Sequence, residues 1–381
     1  MIGIKSDKII TDKGLFNGYI YFDNKIVELR TKVIDGIDVI DRTGLYVSPG
    51  FIDMHTHGGN NHPFINCTSE DVALACDFHL QNGTTSILPT VTAGPFDVMK
   101  DAVEKIAYAK DNNLTKANII GAHLEGPYLS KEQCGAQCPT FITPPIKDDY
   151  APFVSKMSKY ISRWTYAPEN DKDGEFAQSL FDNNIIPSIG HSNAKEEDVI
   201  CAMNHHANII THLYSCTSTI TRDHGFRHLG IIECAYLYDD LCVEIIADGR
   251  HLPPNLIKLI LKCKGYDKVA LVTDSLSIAG TNISSGEMSG TKFIVEDGVC
   301  KLADRSAFAG SIATANRLVR VIYKDVGVDI VNAVKMITQV PAKILNLNTK
   351  GTLSEGFDAD VVVFDEDINI SDVFVNGNKV K

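Results

Sequence analysis

No stretch of this 381-residue chain is apolar enough to read as a membrane span, and no leader-like opening is read at its start. A cytoplasmic protein that meets no membrane is therefore expected. Basic residues are also in short supply. Lys and Arg number 36 against 48 Asp and Glu, a formal net charge of −12, so the basic stripe that tracks nucleic-acid phosphates is missing and nucleic acid is excluded as a partner. Ten cysteines are present, but pairing at zinc-ribbon spacing is not: Cys134-x3-Cys138 has no second pair to answer it. Scattered thiols of this kind are expected to be reduced, and most of them to be small buried residues. Low-complexity segments and internal repeats are absent as well. With 44% hydrophobic residues and a mean hydropathy near zero, what is left is a soluble globular protein whose acidic bias names no substrate.

The length exceeds a usual single core, yet α/β barrels carrying an appendage commonly reach it. The first fifty residues read as short strands and turns, and the last thirty share that texture. Strands so short cannot bury a core alone, so residues 1–48 and 350–381 are expected to pair into one small β-sandwich. Across 49–349, apolar β-rich segments alternate with amphipathic helical stretches, the pattern of a parallel sheet covered by helices. Eight strands are read, over 46–53, 85–90, 119–124, 164–167, 185–189, 209–212, 242–247 and 269–273. Eight is the number of the (β/α)8 TIM-type barrel. Helices are expected over 69–82 with Ser69 as N-cap, 95–112 with Pro95 in the first turn, 195–205, 254–264 and 313–326. A β-hairpin over 286–302 is expected as an insertion after strand eight.

Six potential metal ligands close these strands: His55 and His57 the first, Glu125 the third, His191 the fifth, His212 the sixth and Asp274 the eighth. A barrel gathers such ends at one mouth. His55 and His57 project to the same side because a strand alternates its faces. Imidazole nitrogens with carboxylate oxygens suit zinc or another borderline divalent ion, and a position left open to water makes such a site catalytic. Six residues hold two ions if one carboxylate bridges, and Glu125 is the best placed to do so. His251 falls just past strand seven. A lone histidine is more often solvated or satisfied in a core than a ligand, but seven such residues at strand ends reverse that balance. His79, His205 and His206 fall in helices or at their ends, where solvation is expected. His123 and Asp53 are expected to support the ligands rather than bind the ion.

The stretches His123-Leu124-Glu125-Gly126-Pro127, Gly190-His191-Ser192-Asn193-Ala194, Thr211-His212-Leu213-Tyr214, Ile246-Ala247-Asp248-Gly249-Arg250-His251 and Leu271-Val272-Thr273-Asp274 together resemble the amidohydrolase superfamily. The likeness runs from Ser48-Pro49-Gly50-Phe51-Ile52-Asp53 to Val375-Asn376-Gly377, and within the superfamily it points to the deacetylases of phosphorylated amino sugars. It implies deacetylation of N-acetylglucosamine-6-phosphate, with N-acetylgalactosamine-6-phosphate or another N-acyl amino sugar as the alternative. It also implies a homodimer and one or two divalent ions per subunit, zinc first, with iron, manganese or cobalt as the other candidates. Glu125, His191 and His212 match the metal site of all members, and His55 with His57 the added pair of those holding a second ion. Asp274 matches the general acid/base beside the metal, and His251 a catalytic contact that helps polarise the acetyl carbonyl.

Three departures from the family pattern fall where the sugar phosphate would bind. Tyr-Asn-Ala-Met becomes Tyr214-Ser215-Cys216-Thr217, Arg-Glu-Pro-Gly becomes Arg222-Asp223-His224-Gly225 followed by Phe226-Arg227-His228, and Gly-Ala-His-Asn-Pro becomes Gly135-Ala136-Gln137-Cys138-Pro139. The resemblance places substrate contacts at Gln137, Ser215, Cys216, Arg222, Arg227 and His251, with the first arginine reaching a neighbouring subunit's phosphate. Arg222, Arg227 and His228 are expected to form an anion pocket. A catalytically silent sensor on this scaffold would be marked by a lost ligand or proton shuttle, and none is missing.

Overall fold

Eight parallel strands, paired in chain order, form a barrel: Phe51–Thr56, Thr84–Thr92, Ala122–Glu125, Ile161–Tyr166, Ile186–Ile189, Ile209–Ile210, Cys242–Ile246 and Val269–Val272. The structure is a computed structural model that describes residues 1–288 and 290–381; position 289, within the expected hairpin, lies outside the described residues. The barrel closes at its mouth, where Asp274 N donates to His55 O at 2.9 Å and His57 N donates to Ser275 O at 2.8 Å. Those bonds set the ends of the first and eighth strands side by side. The strands are buried on both faces, which is why they read as near-continuous apolar runs. In the first strand, Ile52 and Met54 pack outward against Val340 and Leu345, which turns Asp53, His55 and His57 toward the bore.

The expected first strand proves to be two. Tyr46–Pro49 pairs with Ile2–Thr11 and Val361–Phe364, whereas Phe51–Thr56 joins the barrel. The chain changes sheets at Gly50, where a Cβ would stand 2.0 Å from Thr85 Oγ1. The third strand is likewise interrupted, Asn118–Ile119 and Ala122–Glu125 both pairing with Thr84–Thr92.

Both chain ends enter one hydrogen-bonded sheet, in the order Asn378–Lys379, Ile370–Val375, Val361–Phe364, Tyr46–Pro49, Ile2–Thr11, Gly14–Phe22, Ile26–Arg30. It forks at Ile2–Thr11, which takes Val39–Asp41 along Gly3 to Lys5 and Tyr46–Pro49 along Lys8 and Ile9. Ile4, Ile20, Phe22, Val47, Val361 and Phe374 form its own apolar core, with side chains drawn from both ends of the chain.

Helix boundaries shift slightly from expectation. Thr68, not Ser69, caps Ser69–Leu80: its Oγ1 accepts from Asp71 N at 3.1 Å while Asp71 Oδ2 accepts from Thr68 N at 2.8 Å. Pro95 precedes Phe96–Asp111, and the expected helix over 313–326 is Ala315–Arg320 followed by a π-turn over Val321–Val326. The expected hairpin after strand eight is larger than a hairpin. Ser285–Met288, Thr291–Glu296, Val299–Leu302 and Phe308–Gly310 make a four-stranded sheet, because Phe293, Cys300 and Ala309 share an apolar cluster with Leu276 and Ile278. Among the described residues no helix is long and apolar enough to cross a membrane.

Candidate metal centre

The six strand-end residues meet at the barrel mouth. Glu125 Oε1 lies 3.3 Å from His55 Nε2, 3.2 Å from His191 Nε2 and 3.0 Å from His212 Nε2. Its other oxygen, Oε2, lies 3.2 Å from His57 Nε2. Asp274 Oδ1 stands 3.1 Å from His57 Nε2 and 3.5 Å from His55 Nε2. Two groups could each hold a metal ion, His55 with His57 and Glu125, and Glu125 with His191 and His212, so the carboxylate of Glu125 is common to both.

The donor set fits cations. His191 Nδ1 is bonded to Gln133 O at 2.9 Å and His212 Nδ1 to Ser215 O at 3.1 Å. A carbonyl only accepts, so both Nδ1 atoms carry hydrogen, which leaves Nε2 of each ring as the atom that can offer a lone pair to a cation. Those two Nε2 atoms are 3.1 Å apart, and the His55 and His57 pair 3.4 Å apart. Facing lone pairs repel unless positive charge stands among them. The titration behaviour agrees. Burial alone would lower the His55 imidazole, but Glu125 and Asp274 reverse this and hold it up at about 10. Glu125, which burial would raise, is held well below the usual carboxylate range by His55 and His191, and His55 and His57 bring Asp274 down to about 2 against its burial. His191, His212 and Asp274 all adopt positive φ, at 45°, 28° and 47°. Such backbone costs about 1–3 kcal/mol per residue and gathers at functional sites.

Beneath the ligands lies a buried polar layer, in which His123 and Asp53 were expected from the sequence and Arg163 and Glu244 were not. Glu244 is ion-paired with Arg163, and its Oε2 stands 3.3 Å from His55 Nδ1 and accepts from His212 N at 3.2 Å. Arg163 also donates to Ser188 Oγ at 2.9 Å and Thr211 Oγ1 at 2.7 Å. His123 bonds Thr90 Oγ1 at 3.1 Å and Thr165 Oγ1 at 2.7 Å, and Asp53 accepts from Thr273 Oγ1 at 2.6 Å, which places both in the supporting layer. The signal was a charged residue inside a buried strand, which must find a partner.

Above the ligands opens a cavity of about 570 Å3 whose walls include Gln137, Ser215, Cys216, His251, Leu276, Met288, Phe293 and Phe308. His251 is fixed by Asp248 Oδ2 at 3.0 Å from its Nδ1. Gln137 reaches the cavity wall, but its amide is turned onto Glu125. Arg222 and Arg227 are not brought in. They stand on an exposed two-stranded hairpin, Thr221–Asp223 and Phe226–His228, and among the described residues no Lys or Arg lines the cavity. The expected anion pocket is therefore not formed within one chain: the hairpin pairs Arg222 with Arg227 across its own strands and holds them in solvent. His79, expected to be solvated, is fully buried, because its helix face packs on the exit of the first strand and its Nε2 bonds Gly58 O at 2.8 Å.

The model of the Amidohydrolase family matches residues 46–380. An N-acetylglucosamine-6-phosphate deacetylase of Lysinibacillus sphaericus is 30% identical over 345 residues, 90% of this chain and 88% of that one. An N-acetylgalactosamine-6-phosphate deacetylase of Shewanella sp. (strain ANA-3) is 30% identical over 329 residues, 86% and 81% of the two chains. The crystal structure of N-acetylglucosamine-6-phosphate deacetylase from Pasteurella multocida superposes with a TM-score of 0.92 at 28% identity, covering 99% of each chain.

Proposed function

The chain belongs to the amidohydrolase family, and on that premise we propose that it hydrolyses the acetamide of N-acetylglucosamine-6-phosphate to acetate and glucosamine-6-phosphate. The observation that carries this is the convergence of four imidazoles on Glu125, two of which also meet Asp274, at the floor of a sugar-sized cavity. Divalent ions held there would supply Lewis acidity and bring the pKa of water to about 7. Asp274 takes the proton of the attacking water and delivers it to the nitrogen as the carbon–nitrogen bond breaks. His251, its Nδ1–H tied to Asp248, donates to the acetyl oxygen through Nε2–H in its doubly protonated form.

Under the same proposal zinc is the first candidate ion, with iron, manganese and cobalt behind it. All ten cysteines are free, which supports a reducing, cytoplasmic setting. A homodimer accounts for the missing cation: an exposed hairpin carrying Arg222, Phe226 and Arg227 is suited to reach a second copy's cavity, where an arginine could pair with the phosphate. The likeness to the Shewanella enzyme favours a second reading, with N-acetylgalactosamine-6-phosphate as the substrate.

The test is acetate release from both 6-phosphates and from unphosphorylated N-acetylglucosamine. Faster turnover of N-acetylglucosamine-6-phosphate than of the other two supports the first reading. Preference for the galacto isomer supports the second, and equal turnover with and without phosphate contradicts both.

A further inference from the structure

Both ends of the Gln137 amide are engaged before any substrate arrives. Its Oε1 accepts from Ala93 N at 3.0 Å and from Thr92 Oγ1 at 2.5 Å. A backbone N–H can only donate, so the amide oxygen belongs on that side and Nε2 must face Glu125. Nε2 donates to Glu125 Oε2 at 2.7 Å, and Gln137 is buried. The two oxygens of Glu125 are thus treated differently. Oε1 is the point on which His55, His191 and His212 converge, while Oε2 faces His57 and is gripped by Gln137.

We infer that Gln137 is a positioning residue that governs how tightly an ion is held by His55, His57 and Glu125, relative to one held by Glu125, His191 and His212. The inference rests on the metal-site part of the function proposed above. The terminal torsion of a glutamate is broad, and an ion on Oε1 still leaves the carboxylate free to swing about that contact. The donor from Gln137 removes that freedom and leaves Oε2 a defined direction for a cation beside His57. The same bond draws some charge from Oε2, which opposes binding. Partners that orient metal-ligating side chains are nonetheless worth about 10–100-fold in affinity, against about 1 kcal/mol, or roughly fivefold, for one net hydrogen bond. Orientation wins. Oε1, surrounded by three imidazoles, has less need of Gln137.

The experiment uses the full chain stripped of metal and titrated with Zn2+ alone, with calorimetry for affinity and elemental analysis for ions retained after dialysis. The wild type is expected to hold two ions per chain. In Gln137→Ala the tighter ion stays and the other weakens by about tenfold or more. Thr92→Ala, which removes one of the two donors to the Gln137 oxygen and no hydrogen bond to the Glu125 side chain, weakens the same ion by a smaller factor and keeps the test open should Gln137→Ala fold poorly. Equal weakening of both ions, no change in either, or a single ion on the wild type overturns the inference. Absence of acetate release from fully loaded wild type would instead overturn the proposed reaction and leave the ion-binding result standing.

Discussion

On the floor of the cavity, His55, Glu125, His191, His212 and Asp274 stand on barrel strands or just past their ends and are buried; at its rim, Arg222 and Arg227 stand on a hairpin exposed along nearly its whole length. The floor is fixed by strand pairing, by a closed seam between the first and eighth strands, and by the Arg163 and Glu244 pair beneath it. The rim is held by its own turn and little else. Chemistry sits where the scaffold is rigid and recognition where segments can change without unfolding the barrel. A cavity wall that holds no Lys or Arg among the described residues fits that division, since the charge needed for a phosphate then has to come from outside the wall.

The sharpest way to break this comparison is at the floor. Asp274→Asn should lower acetate release by about 10^3-fold, within the range typical of a lost general acid/base, with zinc content and thermal melting nearly unchanged; near-normal turnover would place the base elsewhere. Glu244→Gln leaves Arg163 buried without its counter-charge and should cost about 3–5 kcal/mol in chemical denaturation. Combining it with Arg163→Met should recover part of that loss, and no recovery would mean that the pair is not the unit of stability.

A smaller effect comes from His79, beside the exit of the first strand. Burial holds its pKa down at about 4, from an ordinary value of 6.5. With the folded pKa below the unfolded one, its contribution is complete above pH 6.5 and drains away as pH falls toward 4, by up to about 3 kcal/mol. Urea midpoints of metal-free protein between pH 7.5 and 4.5 should therefore fall less steeply for His79→Gln than for the wild type; parallel curves would remove His79 from the account. The smallest effect belongs to the rim. Arg222→Ala and Arg227→Ala should raise KM for the 6-phosphate by about tenfold at most, about 1.4 kcal/mol, and leave unphosphorylated substrate unaffected.

The floor was legible in the sequence because five of the eight apolar runs, the first, third, fifth, sixth and eighth, end in residues able to bind metal, and barrel topology alone sends those ends to one mouth. What escaped notice depends on closure. Arg163 and Glu244 lie in strands that become neighbours of His55 and His212 only once the barrel forms, so neither strand by itself shows why a charge sits there. The division of the first strand at Gly50 turned on the crowding by Thr85, a residue 35 positions on. Gln137 pointed to substrate by its place in a motif, while the orientation of its amide was decided by Thr92 and Ala93. For Arg222 and Arg227, chemistry suited to an anion was visible, but a hairpin's direction relative to the cavity is not encoded in residue type.

The most direct test of cations at the cavity floor is acetate release measured together with metal content through chelation and zinc restoration. The two should fall together and return together, and His212→Ala should not recover with zinc. Undiminished acetate release from protein shown to be free of metal would contradict the account.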